Sequence, residues 1–307
     1  MKKLWIAIIT LISALSLIGC TNKSTGPSTE VLQNNSDSKI QVLVSFNPLK
    51  EFVSAIGKEK VIVSSIIPEG TEPHDFELKA KDLAELSKVN IFVYNGLGIE
   101  PWVEKSLQSI NNKNLIVVDA STNANTIKNI DEKKIEEHGQ NDPHIWLSLK
   151  EAKVEAKNIM DALIKIDVNN KDYYEKNYAD FSNELDSLFN EYKPKFDNLT
   201  NKNFVTGHAA FAYLCRDFGL EQSSVEDVFA EGEPTAKKMK ELIDYCNNNK
   251  IKTIFMEELA SPKVSETLAK EVNGKVEKIY TIESNELNKS YIDTMKENLE
   301  KIYNSLK

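Results

Sequence analysis

Histidine is scarce in this 307-residue chain, which has four, and cysteine is scarcer at three. A cationic surplus is missing altogether. The formal net charge is −9 and no basic cluster stands out, which removes nucleic acid as a partner. No His-Glu-x-x-His occurs, and no nucleophile motif stands out, so the commonest zinc-protease signature is excluded. The apolar run at residues 4–18 is too short and too abruptly ended for a comfortable transmembrane helix.

That run reads instead as a secretory leader. Met1-Lys2-Lys3 is a basic start, and residues 4–18 are the apolar segment that follows it. The run ends Leu17-Ile18-Gly19-Cys20, which resembles the lipobox of bacterial lipoproteins. Small Gly19 permits cleavage before Cys20, whose sulfur would then carry the lipid. The expectation is a leader over 1–19 and a lipid-anchored, extracytoplasmic protein. An ordinary signal peptide or an uncleaved anchor is the plainer alternative. Residues 20–39 are rich in Ser, Thr, Asn and Gly and poor in large apolar residues, so they read as a flexible tether.

About 270 residues remain, enough for one large domain or two ordinary ones. Loss of Lys2 and Lys3 with the leader takes the net charge to −11. With Cys20 lipidated, only Cys215 and Cys246 remain, both in helical patterns. Two separate buried thiols are the reading preferred over a disulfide.

Strand and helix patterns alternate along the mature chain. Strand-like runs occupy 40–46 (IQVLVSF), 61–67 (VIVSSII), 90–94 and 115–118 (LIVV), with helical patterns at 47–56, 79–87 and 101–110. Short β-branched runs between amphipathic helices imply parallel βαβ units. Ser148-Leu149-Lys150-Glu151 has the form of a capping box opening a helix to about residue 165. A second helical pattern then runs from 171 to about 199, with Tyr174, Tyr178, Phe181, Leu185, Leu188, Tyr192 and Phe196 at steps of three and four. At 1.5 Å per residue it is a rod of roughly 40 Å, long enough to span two lobes, with Pro194 as a candidate kink or stop. Alternation resumes with strands at 203–206, 253–256 and 276–281 and helices at 208–218, 235–248, 262–272 and 289–306. The expected fold class is α/β: two Rossmann-like lobes of parallel sheet, an N-terminal lobe at 40–168 and a C-terminal lobe at 201–307. One rigid bridging helix at 169–200 joins them.

Three histidines and one glutamate fall in loops between these elements. They are His74 in Glu-Pro-His-Asp-Phe, His144 in Asp-Pro-His-Ile-Trp, His208 in Thr-Gly-His-Ala-Ala-Phe and Glu283 in Tyr-Thr-Ile-Glu-Ser. Their separations of 70, 64 and 75 residues exclude a zinc finger. Three imidazoles and a carboxylate suit a divalent transition metal, zinc above all. At least three of the four lie beyond the carboxyl ends of expected strands, where open parallel sheets bind ligands. Each also has an ordinary reading: a solvated loop histidine, a cap-region histidine, or a carboxylate at a helix start. His138, in Glu136-Glu137-His138-Gly139, is expected to be solvent-exposed.

Taken together, the lipobox, Pro-His-Asp-Phe, Asp-Pro-His-Ile-Trp-Leu, Gly-His-Ala-Ala-Phe-Ala-Tyr-Leu and Phe-Met-Glu-Glu-Leu-Ala-Ser-Pro-Lys resemble the metal-binding solute-binding lipoproteins of zinc and manganese ABC importers. The resemblance runs from the leader to the last helix. It implies two α/β lobes bridged by a long helix, with the metal in the cleft between them. It implies His74, His144, His208 and Glu283 as ligands, with Glu257 of Phe-Met-Glu-Glu the substitute for the last. It also implies delivery to the permease of an ABC importer, by a protein expected to be monomeric. Zinc-type members resemble this chain in having His at the position of His208, so Zn2+ is the expected cargo and Mn2+ the alternative. Nitrogen-rich sites favour zinc, whereas oxygen-rich ones suit manganese. Zinc-type relatives often carry a long His-rich loop before Asp-Pro-His. Here the matching stretch, 123–141, is short and acidic and holds only His138.

Two other classes compete. A zinc hydrolase would keep one coordination position open for water, whereas four protein ligands close it. A surface adhesin fits the location but has no support in these residues. Asp142 and Glu72 are the sequence neighbours from which the histidines could take orienting hydrogen bonds.

Overall fold

β1 (Ile40–Val44) and β2 (Val61–Ser65) pair in parallel, joined by α1 (Asn47–Gly57). The computed structural model describes residues 39–129, 135, 139–228, 234–260, 262–285 and 288–307. The expected leader, Cys20 and His138 lie outside them. Pro48 sits in the first turn of α1, where its missing N–H costs nothing. Gly57, the last residue of the helix, is required by close approach, because a Cβ there would stand 2.4 Å from a Val61 methyl. β3 (Ile91–Tyr94) pairs on the other side of β1, and β4 (Ile116–Asp119) on the outside of β3. The sheet order is therefore β2-β1-β3-β4, all parallel. Helices α2 (Ala80–Leu86) and α3 (Val103–Ser109) fill the crossovers. Val42, Leu43 and Val44 are all buried because β1 is covered on both faces.

The second sheet repeats the first. β5 (Asn203–Thr206), β6 (Glu221–Ser224), β7 (Thr253–Met256) and β8 (Lys275–Lys278) lie in the order β6-β5-β7-β8, again parallel. β6 is absent from the sequence reading. Its residues, Glu-Gln-Ser-Ser, carry no β-branched or aromatic side chain, and only pairing with β5 at the sheet edge makes them a strand. The helix expected from residue 208 begins later, as α6 (Ala212–Phe218). The intervening residues form a loop in which Gln222 Oε1 accepts the Phe211 N–H at 3.0 Å. The last strand ends at Lys278 rather than 281. α7 (Ala236–Asn248) and α8 (Pro262–Glu271) complete this lobe.

α4 (Leu149–Ile166) and α5 (Lys171–Asp197) run between the sheets, and α9 (Tyr291–Ser305) packs against α5. α5 has 27 residues and continues past Pro194 to Asp197, so the proline neither stops nor shortens it. Ser148 caps α4 through its Oγ, which accepts the N–H groups of Lys150 and Glu151. The reciprocal half of the expected capping box is missing. The Glu151 carboxylate turns instead to Arg216 at 2.6 Å and to the Asn125 N–H at 3.0 Å.

One apolar cluster runs from Val42 and Phe46 through Trp146, Tyr174, Leu185 and Phe196 to Phe204, Phe255 and Tyr291. Both sheets thus share a core around α4, α5 and α9, and Lys39–Lys307 forms one compact unit. Phe52 meets Tyr291 edge-on at 4.9 Å, which ties α1 of the first lobe to the last helix. Cys215 and Cys246 are separate buried thiols, as preferred from the sequence. Among the described residues no helix is long and apolar enough to cross a membrane.

Candidate metal centre

The fold brings His74, His144 and His208 together. One ring nitrogen from each lies within 4.8 Å of the others. His74 stands on a short 3-10 turn, Pro73–Asp75, beyond β2, and remains half-buried. Its Nε2 is 3.3 Å from Nε2 of His144, which is fully buried.

Asp142 orients His144. One carboxylate oxygen accepts both the His144 backbone N–H at 2.9 Å and the ring Nδ1–H at 2.8 Å. With its proton on Nδ1, the ring presents the Nε2 lone pair toward His74, the arrangement a metal-ligating histidine requires. Two residues on, Trp146 donates its indole N–H to the Thr281 carbonyl at 2.7 Å. The Asp-Pro-His-x-Trp element therefore ties the His144 loop to the segment carrying Glu283.

His208 lies just beyond β5 and is buried. Its backbone N–H donates to Glu257 at 3.0 Å, and its carbonyl accepts from Thr206 Oγ1 at 2.5 Å and Gln222 Nε2 at 2.8 Å. The ring Nε2 stands 2.9 Å from the Val228 carbonyl. Burial, with His144 nearby, pushes its pKa down to about 3, so the ring stays neutral and able to ligate at neutral pH. Gly207 is required by close approach: a Cβ there would stand 2.4 Å from a Glu257 carboxylate oxygen.

Glu283 is buried at 4% exposure. Thr281 Oγ1 donates to its Oε2 at 2.7 Å, while Oε1 has no hydrogen-bond partner and lies 3.9 Å from His144 Nε2. The residue before it, Ile282, has φ +65°, a left-handed conformation that costs a β-branched residue about 1–3 kcal/mol. Asn47 Nδ2 holds the Ile282 carbonyl at 3.0 Å. The strained turn sends the Glu283 carboxylate inward rather than to solvent.

The surroundings are acidic. Glu72, His74 and Glu283 form a second trio with ligand atoms within 4.8 Å of one another, sharing His74 with the first. Glu258 accepts from the Thr281 N–H at 2.9 Å with one oxygen, and its other oxygen lies 3.2 Å from Thr281 Oγ1. Glu257 supports the His208 backbone with one oxygen and leaves the other without a partner. Among the described residues, no ion pair joins Glu72, Glu257, Glu258 or Glu283 to lysine or arginine. Burial is the main cause that raises all four carboxyl pKa values: Glu257 to about 8, Glu258 to about 7, and Glu283 well above the ordinary range, with Glu72 the next contributor there. A buried carboxyl group with an orphaned oxygen beside three imidazoles is a site that a divalent cation satisfies.

Of the residues singled out from sequence, His74, His144, His208 and Glu283 all face this one place. Glu257 lies beneath His208. The supporting roles of Glu257 and Glu258 had no sequence signal beyond the acidic pair itself. Glu72 is marked in the sequence only by its place two residues before His74.

The family model for the zinc-uptake complex component A, a periplasmic protein (ZnuA), matches residues 42–305. The chain belongs to this family. A putative metal-binding protein of Treponema pallidum is 41% identical over 275 residues, covering 86% of each chain. The high-affinity zinc uptake system protein ZnuA of Bacillus subtilis is 34% identical over 320 residues, covering 100% of this chain and 99% of its own. Among solved structures, a crystal structure of ZnuA superposes with a TM-score of 0.78 at 33% identity, covering 88% of this chain and all of that one. The family model is that of a zinc-uptake component, so the expectation of zinc over manganese, drawn from the resemblance and from donor chemistry together, stands. Membership makes the chain an extracytoplasmic solute-binding component of a zinc importer, in a transport family rather than an enzyme family.

Proposed function

We propose that this protein holds one Zn2+ as cargo through His74, His144, His208 and Glu283, and hands it to the permease of an ABC importer. The observation that carries the ligand set is the convergence of three histidines, 70 and 64 residues apart in sequence, to within 4.8 Å of one another. Glu283 supplies the fourth donor with its orphaned oxygen. Three nitrogens and one oxygen close a tetrahedron, which suits zinc and leaves no open position for a catalytic water. The lobes at 40–168 and 201–307 grip the ion from either side, with 169–200 the rigid bridge. Cys20 anchors the mature protein to the membrane by its lipid, and the protein acts as a monomer.

Metal binding requires imidazole lone pairs and a carboxylate free of protons, so protons compete with the metal and affinity falls as pH falls through the histidine range. The soluble form beginning after Cys20, stripped with chelator and titrated with zinc or manganese against a competing chelator under native mass spectrometry, tests the reading. One tightly held zinc that is lost in His208→Ala and weakened in Glu283→Ala is the expected result. Tight manganese with weak zinc, or no tight binding of either, would overturn it.

A further inference from the structure

The two overlapping trios differ in depth and in chemistry. His144 and His208 are buried, whereas Glu72 and His74 are both half-buried. The inner trio, His74, His144 and His208, offers three nitrogens, and the outer trio, Glu72, His74 and Glu283, offers two carboxylates and one nitrogen. Glu283 brings a carboxylate oxygen that has no hydrogen-bond partner, although the residue is only 4% exposed. Glu72 is held over His74 by the local turn, its Oε1 accepting the His74 N–H at 3.4 Å.

We infer that Glu72 is a metal ligand of an outer, transient position. Zinc first binds Glu72, His74 and Glu283, then passes inward as His144 and His208 replace Glu72, and leaves by the reverse exchange. This rests on the cargo reading above. The exchange is a ligand substitution in which His74 and Glu283 stay bound, so the ion is never stripped to water between the two positions. The outer position is the more oxygen-rich and the more easily rehydrated, which suits a site that must take zinc from water and give it up again.

Two measurements on the soluble protein test this. A zinc-soaked crystal of His208→Ala should show the ion between Glu72, His74 and Glu283; an ion out of bonding reach of Glu72, or no ion, would overturn the proposal. In solution, adding Glu72→Gln to His208→Ala should weaken the residual zinc binding by about tenfold or more, the usual scale for losing a ligand or its partner. The glutamine carbonyl still caps the His74 turn, so a shared melting temperature would show that folding is intact. Glu226→Gln is the control, because Glu226 is an acidic neighbour of Glu72 but belongs to neither trio. An equal loss in Glu226→Gln would assign the effect to general charge and also overturn the proposal. If wild-type protein held no tight zinc, or His208→Ala bound as tightly as wild type, the cargo reading would fall first. A failure confined to the Glu72 experiments removes only the outer position.

Discussion

The two lobes have the same sheet order but hold their histidines differently. His208, in the second lobe, is fastened through its backbone at both N–H and carbonyl, to Glu257, Thr206 and Gln222. His74, in the first, stands on a three-residue turn and keeps solvent access. The turn is tethered at a distance: Glu69 accepts from Ser284 Oγ at 3.0 Å and from the Asn285 N–H at 2.6 Å, and the Gly70 N–H donates to Ser284 Oγ at 2.9 Å. A repeated fold therefore does not produce a symmetric grip. His208 and the buried His144 form the fixed wall, and the His74 turn is the side that keeps solvent access.

The largest effect should come from the fixed wall. His208→Ala should weaken zinc by at least about 100-fold, measured by chelator competition, because it removes one of four ligands. An affinity within about tenfold of wild type would remove His208 from that wall. Gly207→Ala should come next. Its methyl meets the Glu257 carboxylate at 2.4 Å, so either Glu257 or the His208 backbone must move. It should destabilise the metal-free protein by about 1–3 kcal/mol, the range for forcing a group into a packed site. An unchanged melting temperature and zinc affinity would refute that role.

The acidic surround sets a pH dependence. Glu257 at about 8 and Glu258 at about 7 both have folded pKa values above the ordinary 4.5, chiefly through burial. The folded protein therefore keeps protons that the unfolded chain loses above pH 4.5, and stability falls as pH rises from there through 7 to 8. His208, lowered from 6.5 to about 3, acts the opposite way: its contribution is complete above pH 6.5 and is lost as pH falls toward 3. The metal-free protein should accordingly melt at a higher temperature at pH 5.5 than at pH 8. Zinc should raise the melting temperature more at pH 8, where fewer protons compete for the ligands. A metal-free protein more stable at pH 8 would contradict the burial of these carboxyls.

The smallest effect should come from the tether. Glu69→Ala removes two of the three bonds that hold this loop to Ser284 and Asn285, leaving the Gly70 N–H on Ser284 Oγ, without touching a proposed ligand. Zinc transfer to a chelator should quicken by roughly threefold to tenfold, the kinetic equivalent of one or two ordinary hydrogen bonds. An unchanged release rate would mean that the turn is held by its own short-range contacts.

Much of this was legible beforehand. The apolar 3.6-residue steps from Tyr174 to Phe196 marked the long helix, and β-branched runs marked six of the eight strands closely. β8 was placed with shifted bounds and β6 was not seen, because Glu-Gln-Ser-Ser becomes a strand only through its neighbour. The Ser148 cap was visible, whereas the turning of Glu151 toward Arg216 was not, since the residues are 65 apart. Asp142 could be named as a neighbour of His144, but its grip on both N–H groups of that residue is a matter of geometry.

The residues alone pointed to the α/β class and the paired lobes and singled out His74, His144, His208 and Glu283 as candidate donors, because periodicity and donor chemistry are local properties written into short segments. Only the tertiary structure decided that three histidines meet and that Glu283 turns inward on a strained Ile282. It also decided that Glu257 lies beneath His208 and that Glu72 shares His74 with the deeper site. These depend on how two sheets share one core, and packing between segments hundreds of residues apart has no signature in any one of them.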